Sequence, residues 1–175
     1  GTKTLDGGAL MNQASHYVDL MTWLNGKIKS VSAIDSTSLK IEAEDTIALN
    51  MKFDNLAVGS MSVSMHAFKK NFEGSITVIG EKGLVKIGGV AVNKVEHWEF
   101  LDRDPIDDKI MNKSYDVDSI YGKGHFIYYK ELAKSLNNEV SSIPSGQDGI
   151  TSLEVIIAAY QSAKSNKLIS LPIIE

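Results

Sequence analysis

Two periodicities alternate along the chain. Residues 9–24 place Leu10, Met11, Val18, Leu20, Met21 and Leu24 at helical spacing, and this predicts a first helix. Asp6 is placed to cap it, Gly7-Gly8 allow a tight entry, and Asn25-Gly26 give it a glycine stop. The period then changes to two. A strand is predicted from Val31 to Asp35. Ile47, Leu49, Met51 and Phe53 alternate with polar or small residues, and Met61, Val63, Met65 and Ala67 alternate with Ser60, Ser62, Ser64 and His66. This is the pattern of half-buried strands. Further strands are expected at Ser75–Ile79, Leu84–Ile87 and Val92–Phe100, with Gly80-Glu81-Lys82-Gly83 as a hairpin turn.

Residues 101–119 are acidic, contain Pro105 and show no period, so a loop is expected that orders only on binding. Helical character returns at Ile120–Leu136 and stops at Asn137-Asn138. Ser145 and Asp148 form a capping-box pattern for a helix over Gly146–Ser165, whose apolar stripe includes Ile150, Leu153, Ile156 and Tyr160. Leu168–Leu171 completes the list as an edge strand. One helix, many closely spaced strands and two helices imply an α+β fold, an open and mainly antiparallel sheet with helices packed on one face. The serines at 60, 62 and 64 mark the other face. It is either solvated or a sheet-to-sheet contact between copies.

Composition narrows the class. The 175 residues are expected to form a single substrate-binding and oligomerisation domain, residues 1–175. The net charge of −4 and the scattered basic residues give no footprint for nucleic acid or an anionic membrane. Cysteine is absent, which removes thiolate metal sites and cysteine nucleophiles and fits a reducing cytoplasm. No apolar run approaches the roughly 20 residues of a membrane span.

The segment that carries chemistry is Gly7-Gly8-Ala9-Leu10-Met11-Asn12-Gln13-Ala14-Ser15-His16, followed by Asp19. On a helix, Asn12, His16 and Asp19 share one face. A histidine there can exchange a proton near neutral pH, an asparagine can bind a hydroxyl or orient the ring, and an aspartate can cap backbone or hold the ring. From spacing alone, a purely structural role for His16 is the commoner reading. His125 follows Gly122-Lys123-Gly124 at a helix entry, where it serves either an anion or the helix start itself. No nucleophile elbow, phosphate loop or metal cluster is present.

These motifs resemble the C-terminal domain of the Gfo/Idh/MocA oxidoreductases. The resemblance rests on Gly7-Gly8, Asn12, His16 and Asp19, on Trp23-Leu24-Asn25-Gly26, and on Tyr121-Gly122-Lys123-Gly124-His125 with Tyr128-Tyr129. The last helix adds Ser152-Leu153-Glu154 and Tyr160-Gln161-Ser162-Ala163. Within the family, Asn12-Gln13 and the Tyr121–Tyr129 segment look most like the UDP-N-acetylglucosaminuronate 3-dehydrogenases of lipopolysaccharide O-antigen synthesis.

The resemblance implies the C-terminal half of a two-domain sugar dehydrogenase that uses NAD or NADP. His16 would then be catalytic, with Asn12 and His125 on the substrate. A glycine-rich Rossmann half and a catalytic lysine would lie outside this chain, which alone would be inactive. A sugar or nucleotide-sugar substrate and a homo-oligomer built through the open sheet face are also implied. Many members carry Asp where Asn12 stands, and Ala14-Ser15 replace the usual glycine-apolar pair. A different sugar or cyclitol dehydrogenase, or a non-catalytic binding or oligomerisation module, are the alternatives.

Overall fold

The computed structural model describes residues 2–117 and 124–173. They form two compact units, Gly1–His66 with Pro144–Glu175, and Ala67–Ile143. The α+β class expected from the sequence is observed. All strand pairs are antiparallel, and no sheet closes. The meander is nevertheless divided. Its strands form one four-stranded and one three-stranded sheet rather than a single ladder.

In the first unit the sheet order is β3-β2-β1-β7, with β1 Ile28–Ser36, β2 Thr46–Phe53, β3 Val58–Ser64 and β7 Ile169–Ser170. The register pairs Leu49 with Ala33 on one side and with Met61 on the other, and Ile47 with Val63. Period two therefore sends Ile47, Leu49, Met51 and Phe53 to one face, where each is buried. Burying each such side chain stabilises the fold by about 1.5–3 kcal/mol. The helix α4 (Gly146–Ser165) packs on β1, and α1 (Ser15–Asn25) packs on α4. Val155, Ile156, Ala158 and Ala159 of α4 close the core.

Local signals explain the ends of these elements. Ser145 Oγ accepts the Asp148 amide, and the Asp148 carboxylate accepts the Ser145 amide at 2.7 Å, so the capping box forms as the sequence predicts. Gly26 ends α1 with φ 89°, a conformation glycine adopts without strain. The sheet's opposite face carries Ser32, Asn50, Ser60, Ser62 and Ser64, with Ile34 and Val58 among them and fully in solvent.

The second unit has the sheet β4-β5-β6, made of Ile76–Gly80, Gly83–Gly88 and Lys94–Phe100. Gly80 pairs with Gly83 across the Glu81-Lys82 turn, as expected. The acidic stretch after β6 is not a plain loop. Asp107–Met111 form a short helix, α2, which packs on β6, and Trp98 Nε1 donates to Asp107 Oδ1 at 2.9 Å. Five residues are too few to show a helical period in sequence, which is why the element was not anticipated. α3 spans Gly124–Leu136. The expected start at Ile120 and the Tyr121-Gly122-Lys123 part of the motif lie outside the described residues.

Candidate active site

The expected helix over residues 9–24 is two elements. Ala9–Gln13 form a π-helical turn, Ala14 interrupts it at φ −123° and ψ 4°, and α1 begins at Ser15. The turn has no side-chain cap from its own N-terminus. Asp6 does not cap it. The Asp6 carboxylate instead accepts the Thr2 amide at 2.6 Å, which holds its pKa below the usual range. Single π-turns are frequent at functional sites. Here the turn resets the chain before the helix that carries His16.

Leu10, Ala14 and Val18 anchor this segment in the core, while Asn12, Gln13 and His16 stay exposed. α1 is less buried than its apolar residues suggest, since Val18 alone among its residues is fully covered. Asn12 and His16 therefore face solvent, whereas Asp19 of the same stripe is half-buried. Asn12 Nδ2 donates to the Asp6 carbonyl at 2.9 Å, and Gln13 Nε2 donates to Asn12 Oδ1 at 3.0 Å. The amide keeps one N–H and one acceptor lone pair for a ligand hydroxyl. It orients itself on Asp6, not on His16.

His16 stacks beside Tyr17 with ring centroids 4.4 Å apart. Partial burial of the ring pushes its pKa below the ordinary value of 6.5. The positive end of the α1 dipole acts in the same direction. The neutral imidazole is thus the prevailing form near pH 7, and it can accept a proton. Asp19 does not touch His16. Its Oδ1 accepts from Ser152 Oγ at 2.7 Å and ties α1 to α4. His125 occupies the second position of α3, exposed, in the other unit. His66 lies past the end of β3, where Nε2 meets Ser38 Oγ at 2.9 Å and Asp45 Oδ1 at 3.1 Å. His97 meets Glu99 at 3.1 Å.

Two buried carboxylates were not singled out by sequence. Asp45 is wholly covered and takes the amides of Ser38 and Leu39, each at 2.6 Å. Those bonds hold its pKa far below the usual carboxylate range. Glu44 is 5% exposed and reaches the π-turn. The adjacent acidic pair before an apolar strand was the available signal, but its partners are distant in sequence. Among the described residues no group of three His, Cys, Asp or Glu side chains could hold a metal. No described helix is long and apolar enough to cross a membrane.

Residues 1–171 match the family described as oxidoreductase family, C-terminal alpha/beta domain, of the Gfo/Idh/MocA type. The chain belongs to this family. It is similar in structure to the WlbA dehydrogenase from Bordetella pertussis, solved in complex with NADH and UDP-GlcNAcA (44% identity, TM-score 0.93, 99% of this chain and 50% of that one). The WlbA dehydrogenase from Chromobacterium violaceum, also solved with NADH and UDP-GlcNAcA, is 45% identical with a TM-score of 0.90, over 100% of this chain and 49% of that one. Levoglucosan dehydrogenase, at 20% identity and a TM-score of 0.79 over 99% of this chain and 53% of that one, shares the fold. Curated proteins gave no match. The chain spans about half the length of these solved relatives.

Proposed function

We propose that this chain is the substrate-binding half of a nicotinamide-dependent nucleotide-sugar dehydrogenase that oxidises the C3 hydroxyl of UDP-N-acetylglucosaminuronate in lipopolysaccharide synthesis. The observation that carries the reading is the exposed Asn12–His16 segment, held by a buried scaffold and carrying a histidine biased to its neutral form. The 44% identity to a dehydrogenase solved with NADH and UDP-GlcNAcA supports the substrate class. The cytoplasm, where nucleotide sugars are made, is the proposed location.

His16 Nε2 or Nδ1 accepts the hydroxyl proton, which makes the carbinol carbon a better hydride donor. Asn12 fixes the sugar by its free N–H and lone pair, and no carboxylate partner is needed for that task. This chain has no glycine-rich dinucleotide fingerprint, so NAD or NADP would be held by the other half of the protein, where it accepts the hydride.

In the intact protein, His16→Ala lowers kcat by about 10²–10⁴-fold, with the melting temperature little changed. Turnover close to wild type in steady-state assays with UDP-N-acetylglucosaminuronate would remove His16 from the chemistry.

Assembly is proposed through the open face of the first unit's sheet. Its serines at 60, 62 and 64 let a second sheet approach to about 10 Å, and exposed Ile34 and Val58 supply apolar area. Sedimentation should show an oligomer that Ser62→Lys with Ser64→Glu dissociates. An unchanged oligomer in the double variant would clear this face.

A further inference from the structure

The π-turn Ala9–Gln13 must find acceptors for its first amides, because Gly8, its N-cap, has no side chain. All three that open the turn are satisfied from outside it. The Ala9 amide donates to the Glu44 carbonyl at 2.9 Å. The Leu10 amide donates to Glu44 Oε1 at 2.9 Å. The Met11 amide donates to Tyr160 Oη at 3.2 Å, and Tyr160 Oη in turn donates to the same Glu44 Oε1 at 2.9 Å. Glu44 lies just before β2 and Tyr160 lies on α4, so two elements of the core converge on one turn.

A second observation is independent of these bonds. Any side chain at Gly8 would collide with the Glu44 carboxylate, so the glycine and the carboxylate occupy one space. Gly8 is therefore explained by the carboxylate, and Gly7 by its positive φ of 67° and the closeness of Met11. Burial, followed by the hydrogen bond and charge of Glu44, drives the Tyr160 phenol pKa well above its usual value, so Tyr160 remains a donor at every working pH.

We propose that Glu44 and Tyr160 are positioning residues for the sugar site: they cap the π-turn from the stretch before β2 and from α4 and thereby fix the placement of Asn12 and His16. This rests on the reading of Asn12 and His16 as the substrate-contacting pair. Neither Glu44 nor Tyr160 needs to touch substrate. A turn that loses its cap displaces the groups it carries, and displacements of about 1 Å can cost 10²-fold in rate. A buried amide left without an acceptor is unfavourable, so the turn would relax rather than stay put.

The test uses the intact two-domain protein with four variants, His16→Ala, Glu44→Ala, Glu44→Gln and Tyr160→Phe. Rates are taken per folded molecule, and hydrogen exchange is followed at the Leu10 and Met11 amides. Glu44→Ala should lower kcat by about 10- to 100-fold and raise exchange at Leu10. Its KM for the nicotinamide cofactor should be unchanged. Glu44→Gln should recover most of the rate, because a single carbonyl oxygen can accept both the Leu10 amide and the Tyr160 hydroxyl. Tyr160→Phe keeps the ring's packing and should lose rate by less than Glu44→Ala, with faster exchange at Met11. An inactive His16→Ala beside fully active Glu44→Ala and Tyr160→Phe overturns the positioning role and leaves the site reading intact. Near-wild-type turnover in His16→Ala overturns both. Loss of rate that vanishes once corrected for folded protein, or that Glu44→Gln does not recover, also overturns the proposal.

Discussion

The two units of this chain are stabilised by different means. In the first, the Ala9–Ala14 segment, α1, β1, β2 with the stretch before it, and α4 contribute every fully buried apolar side chain found among the described residues. In the second, Leu84, Val85 and Ile87 of β5 are only half covered, the rings of Trp98 and Phe100 meet edge to face, and the remaining ties are polar. Lys86 reaches Glu73 at 3.2 Å and Glu96 at 2.7 Å, Lys94 reaches Asp116 at 2.5 Å, and Asn93 Nδ2 donates to the Tyr115 carbonyl at 2.5 Å. α3 leaves Phe126, Ile127, Tyr129 and Leu136 in solvent. Both sheets have the same antiparallel pairing. What separates them is a helix layer: α4 covers β1, whereas among the described residues the helix packed against the second sheet is the five-residue α2, on β6. Apolar alternation specifies a face, but the face becomes a core only where another element seals it.

The sharpest way to break that comparison is to cut into both sheets. Phe53→Ala removes a side chain that is 2% exposed at the end of β2 and should cost about 3–5 kcal/mol. Val85→Ala in the middle of β5 should cost about 1 kcal/mol or less, since the transfer free energy scales with the area covered. Denaturant unfolding of the two variants checks the totals. Hydrogen exchange checks the location: amides of β2 should lose protection in the first variant, and only those of β4, β5 and β6 in the second. Equal costs would mean that the second unit has a core as good as the first.

The same contrast governs what was legible in the sequence. Alternation at Ile47–Phe53 located β2 to within a residue, and the Ser145/Asp148 pattern located the start of α4, because both signals are local. His16 and Asn12 were likewise marked by a local motif, though their exposure was not, because the apolar residues around them suggest a buried helix. The π-turn before Ala14 was not, because its Leu10 and Met11 amides are met by the Glu44 carboxylate and the Tyr160 hydroxyl, 34 and 149 residues away. The split of the meander into two sheets was also hidden. Residues Met65–Ala67 continue the alternation of β3, yet the strand ends at Ser64. Beyond it, His66 turns to Asp45 and Ser38, partners that strand periodicity does not report. The Asp19–Ser152 bond shows the same limit, since either residue alone reads as an ordinary helix position.

Acid should sharpen the contrast further, with a smaller effect than the core substitution. Asp45 is wholly buried, and its carboxylate gathers two amides, the Thr46 hydroxyl at 3.1 Å and His66. Its folded pKa is depressed from an ordinary 3.8, first by the Leu39 amide, so its contribution is fully present above that value. The contribution declines as pH falls below it toward the folded pKa. Glu73, Asp107 and Asp116 of the second unit are depressed by their own partners, and the sign is the same. Those groups lie at the surface, where screening leaves each pair worth little. Asp45→Asn places an amide donor or a weaker acceptor against the Ser38 and Leu39 amides, so it should destabilise the first unit at pH 7. The gap between variant and wild type should then narrow as pH is lowered from 5 to 3. Exchange protection in β1 and β2, followed across that range at high and low salt, reads the effect. Salt should leave the Asp45 contribution nearly unchanged while weakening the polar ties of the second unit, because a buried carboxylate is screened far less than an exposed one. A gap that stays constant with pH would show that Asp45 supports the loop by shape alone and not by its charge.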